Sequence, residues 1–313
     1  TRQEVATVED AEPEWTAREL LLHVREHLGR PVSYFRILHG ATVLPDDGTA
    51  TLGDAGVADG TFLTLVASVP QLVVTASADR TAKLWAVAHG ECVQTLRGHG
   101  HRVMSAAFSP DGTQVVTASD DQTARVWEIS SGECVLTLRG HAERLSSASF
   151  APDGTQVITA SWDYTAKIWD TAFGECLQTL EGHDALVEFS AFSPEGTEVV
   201  TASVDRTACI FEAAFGECVQ TLCGHEGGIH SAAFSPDSLQ VVTASDDCTA
   251  RVWEADSGEC VQLLRGHTDC VLSAVFSPDG MQVLTASVDC TARVWDAASG
   301  ACVQTLQGHE GRL

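Results

Sequence analysis

The sequence predicts a mainly β chain, a propeller of repeated blades preceded by a small α+β domain, and three observations carry that expectation. Gly-His recurs as Gly98-His99, Gly140-His141, Gly182-His183, Gly224-His225, Gly266-His267 and Gly308-His309, always 42 residues apart with no insertion. A period of about 40 to 45 residues is that of propeller blades. A tryptophan keeps phase with it at Trp85, Trp127, Trp169, Trp253 and Trp295, Phe211 takes the remaining place, and Glu or Asp follows in all but the first. Residues 1–68 lack the period, so the expected division is 1–68 and 69–313.

Within a unit, Val103-Met-Ser-Ala-Ala-Phe108, Gln114-Val-Val-Thr117 and Thr123-Ala-Arg-Val-Trp127 are short runs of β-formers and read as strands. Ser109-Pro-Asp-Gly112 separates the first two, with Pro presetting φ and Gly accepting φ > 0, and variants of it recur in the later units. Six of the eleven cysteines (Cys92, Cys134, Cys176, Cys218, Cys260, Cys302) fall on the same period and are repeat positions before they are chemistry.

From about Gln71 onward these residues resemble the WD40 repeat. The resemblance implies four-stranded blades, a to d, each with a buried polar chain linking His before strand a, Ser/Thr on b, Asp in the b–c turn and Trp on c. Carried over position by position, the sets are His99, Thr117, Asp121, Trp127; His141, Thr159, Asp163, Trp169; His225, Thr243, Asp247, Trp253; and His267, Thr285, Asp289, Trp295. The set His183, Thr201, Asp205 ends in Phe211, which has no indole N–H. Thr75, Asp79 and Trp85 have Val57 where the histidine would stand, and strand a is expected only five times against six for b, c and d. A ring of six or seven blades is expected. A His, an Asp and a hydroxyl also suggest a hydrolytic triad, but an active site needs one asymmetric constellation and this set is copied in every blade.

The first domain reads in a different order. Glu4-Val-Ala-Thr-Val8 is a strand, Thr16 and Glu19 have capping-box spacing, and Leu20, Leu21, Val24 and Leu28 recur at helical intervals before Gly29 and Pro31 end the helix. Tyr34–Leu38, Thr42–Leu44 and Phe62–Val66 supply further strands. This strand–helix–strand order, with Arg36-Ile-Leu-His-Gly40 and Asp59-Gly-Thr-Phe-Leu-Thr-Leu-Val66, resembles ubiquitin and its β-grasp relatives, the first strand being incomplete. No terminal Gly-Gly follows Val66, so the resemblance implies a docking module rather than a conjugated modifier. Its recognition surface would be Ile37, Thr64 and Val66, with Leu63 and Leu65 turned inward.

Eighteen Lys+Arg against 43 Asp+Glu leave a net charge of −25, which repels a nucleic-acid backbone and an anionic membrane face. No apolar run reaches the roughly 18 residues of a membrane helix, and the N-terminus carries neither a signal peptide nor an initiator methionine. The odd number of cysteines and the lack of C-x-x-C point to a reducing compartment, the cytoplasm first. Cys248 and Cys290 occupy equivalent turns without a second ligand type beside them, so neither metal nor cofactor is expected.

Function is therefore expected at the rim. The WD40 resemblance implies partner binding on the face carrying the a-strand entries and b–c turns, and the free positions there differ between near-identical units. They are Arg102, Met104 and Asp120; Arg144, Ser146 and Trp162; Leu186, Glu188 and Val204; Gly228, His230 and Asp246; and Cys270, Leu272 and Val288. Large aromatics and arginines are the usual hot-spot residues, so Trp162 with Arg144, Arg102, Met104 and Leu186 is the expected patch. The expected function is a non-enzymatic scaffold for protein partners within a multi-subunit complex. The alternative is a ubiquitin-pathway adaptor, although Trp127-Glu-Ile-Ser, Trp169-Asp-Thr-Ala and Trp295-Asp-Ala-Ala lack the arginine of a cullin receptor.

Overall fold

The computed structural model describes residues 15–17, 19–20, 35–39, 42–44, 51–52, 54–55, 57, 64–67 and 71–311. The chain divides into two compact units, Thr1–Val73 with Ala86–Glu91, and Val74–Trp85 with Cys92–Leu313.

In the first unit the Thr16 hydroxyl accepts from the Glu19 amide (3.2 Å) while a Glu19 carboxylate oxygen accepts from the Thr16 amide (2.7 Å). This reciprocal pair satisfies two of the donors that a helix start leaves unpaired. The strand expected at 4–8 and the rest of the helix lie outside the described residues. Phe35–His39 pairs antiparallel with both Thr42–Val43 and Thr64–Ala67.

That register corrects one expectation. Ile37 stands opposite Leu65, Leu38 opposite Thr64, and Arg36 opposite Val66. Directly opposed residues share a face of a sheet and neighbours along a strand alternate. Ile37 therefore lies on the face of Leu65, and Thr64 and Val66 on the other, so the three do not form one surface. The expected pairing was one residue away, and a slip of one exchanges the faces.

The second unit is a succession of antiparallel meanders. The second sheet consists of Val103–Phe108, Gln114–Ser119, Thr123–Glu128 and Cys134–Arg139. The same four strands return through to the sixth sheet, Val271–Phe276, Gln282–Ser287, Thr291–Asp296 and Cys302–Gln307. The first sheet has three, Leu72–Ala76, Thr81–Ala86 and Glu91–Arg97. A register shift at Trp127, between Cys134 and Leu136 of the partner strand, bends each outer strand at the same place in its repeat.

Both faces of the strand Gln114–Ser119 are buried, and alternation decides what each one meets. Val115 packs with Val103 and Trp127 against Leu84 and Leu96 of the sheet before, whereas Val116 packs with Val126 and Leu138 against Leu145, Val157 and Trp169 of the sheet after. Each interface is thus apolar from one side and tryptophan-centred from the other.

On the tryptophan side lies the polar chain. The Trp127 indole N–H donates to Thr117 Oγ1 (2.8 Å), the Thr117 hydroxyl meets His99 Nε2 (2.7 Å), and His99 Nδ1 meets Asp121 Oδ2 (2.9 Å). The same three bonds join His141, Thr159, Asp163 and Trp169, then His225, Thr243, Asp247 and Trp253, then His267, Thr285, Asp289 and Trp295. Glycine precedes each histidine for a physical reason: Gly98 sits at φ +151°, and a Cβ there would lie 3.3 Å from the Trp127 ring.

The Phe211 blade keeps His183 bonded to Thr201 and Asp205 (2.7 Å each) but lacks the indole donor. At Gly182 a Cβ would meet nothing within 4 Å, whereas at Gly140 it would meet the Trp169 ring at 3.2 Å. The vacant space is where the larger ring stands elsewhere. Phe211→Trp should therefore raise the melting temperature, restoring one buried hydrogen bond worth about 1 kcal/mol. Amide exchange in the wild type should be faster around Thr201 than around Thr117. A lowered melting temperature together with equal exchange would contradict this.

Candidate partner-binding rim

Rim positions come from two places in each repeat, the segment entering the first strand and the turn between the second and third. The turn is set by its aspartate. Asp121 Oδ1 accepts from the Thr123 hydroxyl (2.6 Å) and amide (3.1 Å), and the residue between them, Gln122, is held at φ +68°. Tyr164, Arg206, Cys248 and Cys290 occupy the same left-handed position. The residue before the aspartate carries no such duty, and that is where Asp120, Trp162, Val204, Asp246 and Val288 differ.

Around Trp162 the rim is organised. The Arg144 guanidinium lies 3.1 Å above the centre of the Trp162 ring, and the Trp162 amide donates to the Arg144 carbonyl (3.0 Å). Both side chains are half-buried. Among the described residues the Arg144 guanidinium makes no hydrogen bond or ion pair, so stacking orients it while leaving its donors free. Arg102 is exposed, Met104 is 49% exposed, and Leu186 is half-buried. On the neighbouring repeats burial raises the Glu188 carboxyl above its ordinary range, against the pull of His230, Trp162 and Arg144. His230 Nε2 lies 2.6 Å from Asp246 Oδ1. The rim thus passes from unpaired arginines to carboxylates across three repeats.

The histidine–aspartate–threonine sets have no chemistry to offer at this rim. Asp121 only accepts when ionised, so His99 Nδ1 must donate to it, and Nε2 then takes the threonine proton. That threonine oxygen is fully buried, out of reach of any substrate. The rim thiols are equally quiet. Burial, with Asp246 and Asp269 adding to it, pushes Cys270 up to about 12, and burial with nearby aspartates raises Cys248 as well. Among the described residues no group of three His, Cys, Asp or Glu side chains could hold a metal ion. No helix among them is long and apolar enough to cross a membrane.

Some features had gone unread in the sequence. Arg125, Arg251 and Arg293 lie over Trp127, Trp253 and Trp295 at 5.7–5.9 Å, each with a buried Nε lacking a hydrogen-bond partner. Phe173 and Phe215 are 80% and 69% exposed at the opposite ends of their sheets. The available signal was Ala-Phe-Gly at 172–174 and 214–216, where other units have Ser-Gly.

Repeated four-stranded meanders, each locked by one polar chain and packed face to face, define a β-propeller-type repeat protein. Residues 90–128, 132–170, 174–212, 216–254 and 258–296 match the WD40 family, described as WD domain, G-beta repeat. These segments make up more than half of the chain, which belongs to the WD40 family. Its members generally serve as protein–protein interaction scaffolds and are typically non-enzymatic.

The buried chains make the fold acid-sensitive, and the sign follows from the shifts. Burial lowers His99 and His225 below 6.5, outweighing their aspartates. Their contribution is complete above pH 6.5 and is lost as pH falls below it, because the unfolded histidine takes the proton first. Burial raises Asp121, but bonds from the Thr123 hydroxyl, the Gly100 amide and His99 outweigh it and bring the carboxyl to about 2. That contribution is present above 3.8 and lost toward 2. A melting-temperature series should therefore be flat above pH 6.5 and fall in two stages below it. Stability that increased on acidification through pH 6 would contradict the neutral, buried histidines.

Proposed function

We propose that this protein is a non-enzymatic scaffold that holds a protein partner, within a larger assembly, on the rim formed by Trp162, Arg144, Arg102, Met104 and Leu186. The stacking of Arg144 on Trp162 carries the reading. It places a large aromatic and an oriented, unpaired guanidinium side by side on a surface where the repeat imposes neither. Two free arginines in a chain of net charge −25 give this sector a local sign opposite to the whole. An acidic or carbonyl-rich segment suits it, and bidentate contact with a carboxylate is what an oriented guanidinium does best. The adaptor alternative gains nothing from the strand register, which divides Ile37 from Thr64 and Val66.

The test uses the full chain as bait, quantified by mass spectrometry against Trp162→Ala, Arg144→Ala and, as a control at the opposite ends of the sheets, Phe173→Ala. The partner should be retained by the wild type and the control and lost with both rim variants. Calorimetry with that partner should then show Trp162→Ala costing about 2 kcal/mol or more, with the melting temperature almost unchanged. Equal retention by all four chains would move the site elsewhere.

A further inference from the structure

Five internal interfaces repeat one arrangement. At the fifth, Val242, Val252 and Leu264 of one sheet lie buried under Val271, Ala274, Val283 and Trp295 of the next. The equivalent residues Val200, Ile210 and Leu222 lie under Ile229, Ala232, Val241 and Trp253. At the sixth sheet the corresponding face has no such cover. Val275, Leu284 and Leu306 are 43%, 42% and 43% exposed, whereas Val242 and Leu264, the equivalents of the last two, are fully buried.

The other half of the same interface is open on the first sheet. Thr75 is exposed and Trp85 half-buried, although Thr117 and Trp127, their equivalents, are buried. The Trp85 indole still donates to Thr75 Oγ1 (2.9 Å), and Asp79 Oδ1 still accepts from Thr81 (2.6 Å). Asp79 Oδ2, however, receives no histidine among the described residues, whereas Asp121 Oδ2 receives both His99 and the Gly100 amide. The missing group exists at the far end of the repeats. His309 stands 42 residues after His267, preceded like it by glycine, and is exposed with no bonded threonine or aspartate.

We propose that the sixth sheet of one copy of this chain packs on the first sheet of a second copy, rebuilding in trans the interface that the repeats form internally. Val275, Leu284 and Leu306 would cover Trp85, and His309 would donate to Asp79 and accept from Thr75, completing the one polar chain that lacks its histidine. A second copy is the occupant because the two faces are halves of a single repeated interface, apolar against apolar and imidazole against carboxylate. The contact is head to tail. Each copy uses a different face, so assembly continues until a ring closes or a filament forms.

Sedimentation of the full chain across a wide concentration range tests this, with Leu284→Lys and Thr75→Glu as blocking variants at exposed positions. The wild type should gain mass with concentration, and each variant alone should remain monomeric with a cooperative melting transition. An equimolar mixture of the two should give a one-to-one heterodimer and nothing larger, since one intact face survives on each chain. His309→Ala should weaken association at least tenfold without changing the monomer's melting temperature, which keeps the test open if a blocking variant folds poorly. A wild type that is monomeric throughout would overturn the proposal. So would a mixture of variants that stays monomeric, the result expected if the two faces close within one chain.

Discussion

Every blade depends on a histidine that is satisfied at both ring nitrogens. His99 ties the segment entering its sheet to Thr117 on one strand and Asp121 in the next turn, and Trp127 completes the chain from a third strand. Four side chains that would each be costly to bury alone become acceptable together, and only in one register. Because the chain lies on the face turned toward the preceding sheet, its seal is the neighbour's apolar surface. The ring and the indole also meet edge to face, 6.1 Å apart. Stability is therefore shared between neighbours, as in any stacked repeat, and the two end sheets are the ones left with half an interface each.

Substitution inside this arrangement is correlated in space rather than along the chain. Where Phe211 replaces tryptophan, Cys209 replaces the arginine that elsewhere lies over the indole, and the space above Gly182 opens. The Cys209 thiol is buried, which with the nearby Cys218 pushes it up to about 12, so it behaves as a small apolar filler. With the buried positions committed in this way, variation is confined to the rim. The residue before each turn aspartate has no partner to keep, and Trp162 occupies one such place.

Much of the repeat region was legible in the amino-acid sequence because its signals are local and periodic. The Gly-His period, the phase of Trp127 and its equivalents, and the Ser109–Gly112 turn state strand order and meander topology without reference to anything distant. Capping at Thr16 and Glu19 is legible for the same reason, being a contact three residues long. Each of these features carries its own geometry in a few adjacent residues.

Other properties belonged to tertiary structure alone. Which way the Arg144 guanidinium lies depends on packing across the turn, and spacing says only that it is near Trp162. The surface expected from Ile37, Thr64 and Val66 failed on a single residue of strand register, which period-two alternation turns into opposite faces. Exposure of Phe173, Leu284 and Thr75 could not be read from residues that look like their buried or polar equivalents, because burial is decided by the neighbouring sheet. The sequence by itself determined the repeat, its strands and the polar chain, since those are written within each 42-residue unit. What the rim presents and where the stack of sheets is left open were decided only in three dimensions, because each depends on what stands beside a unit rather than on what it contains.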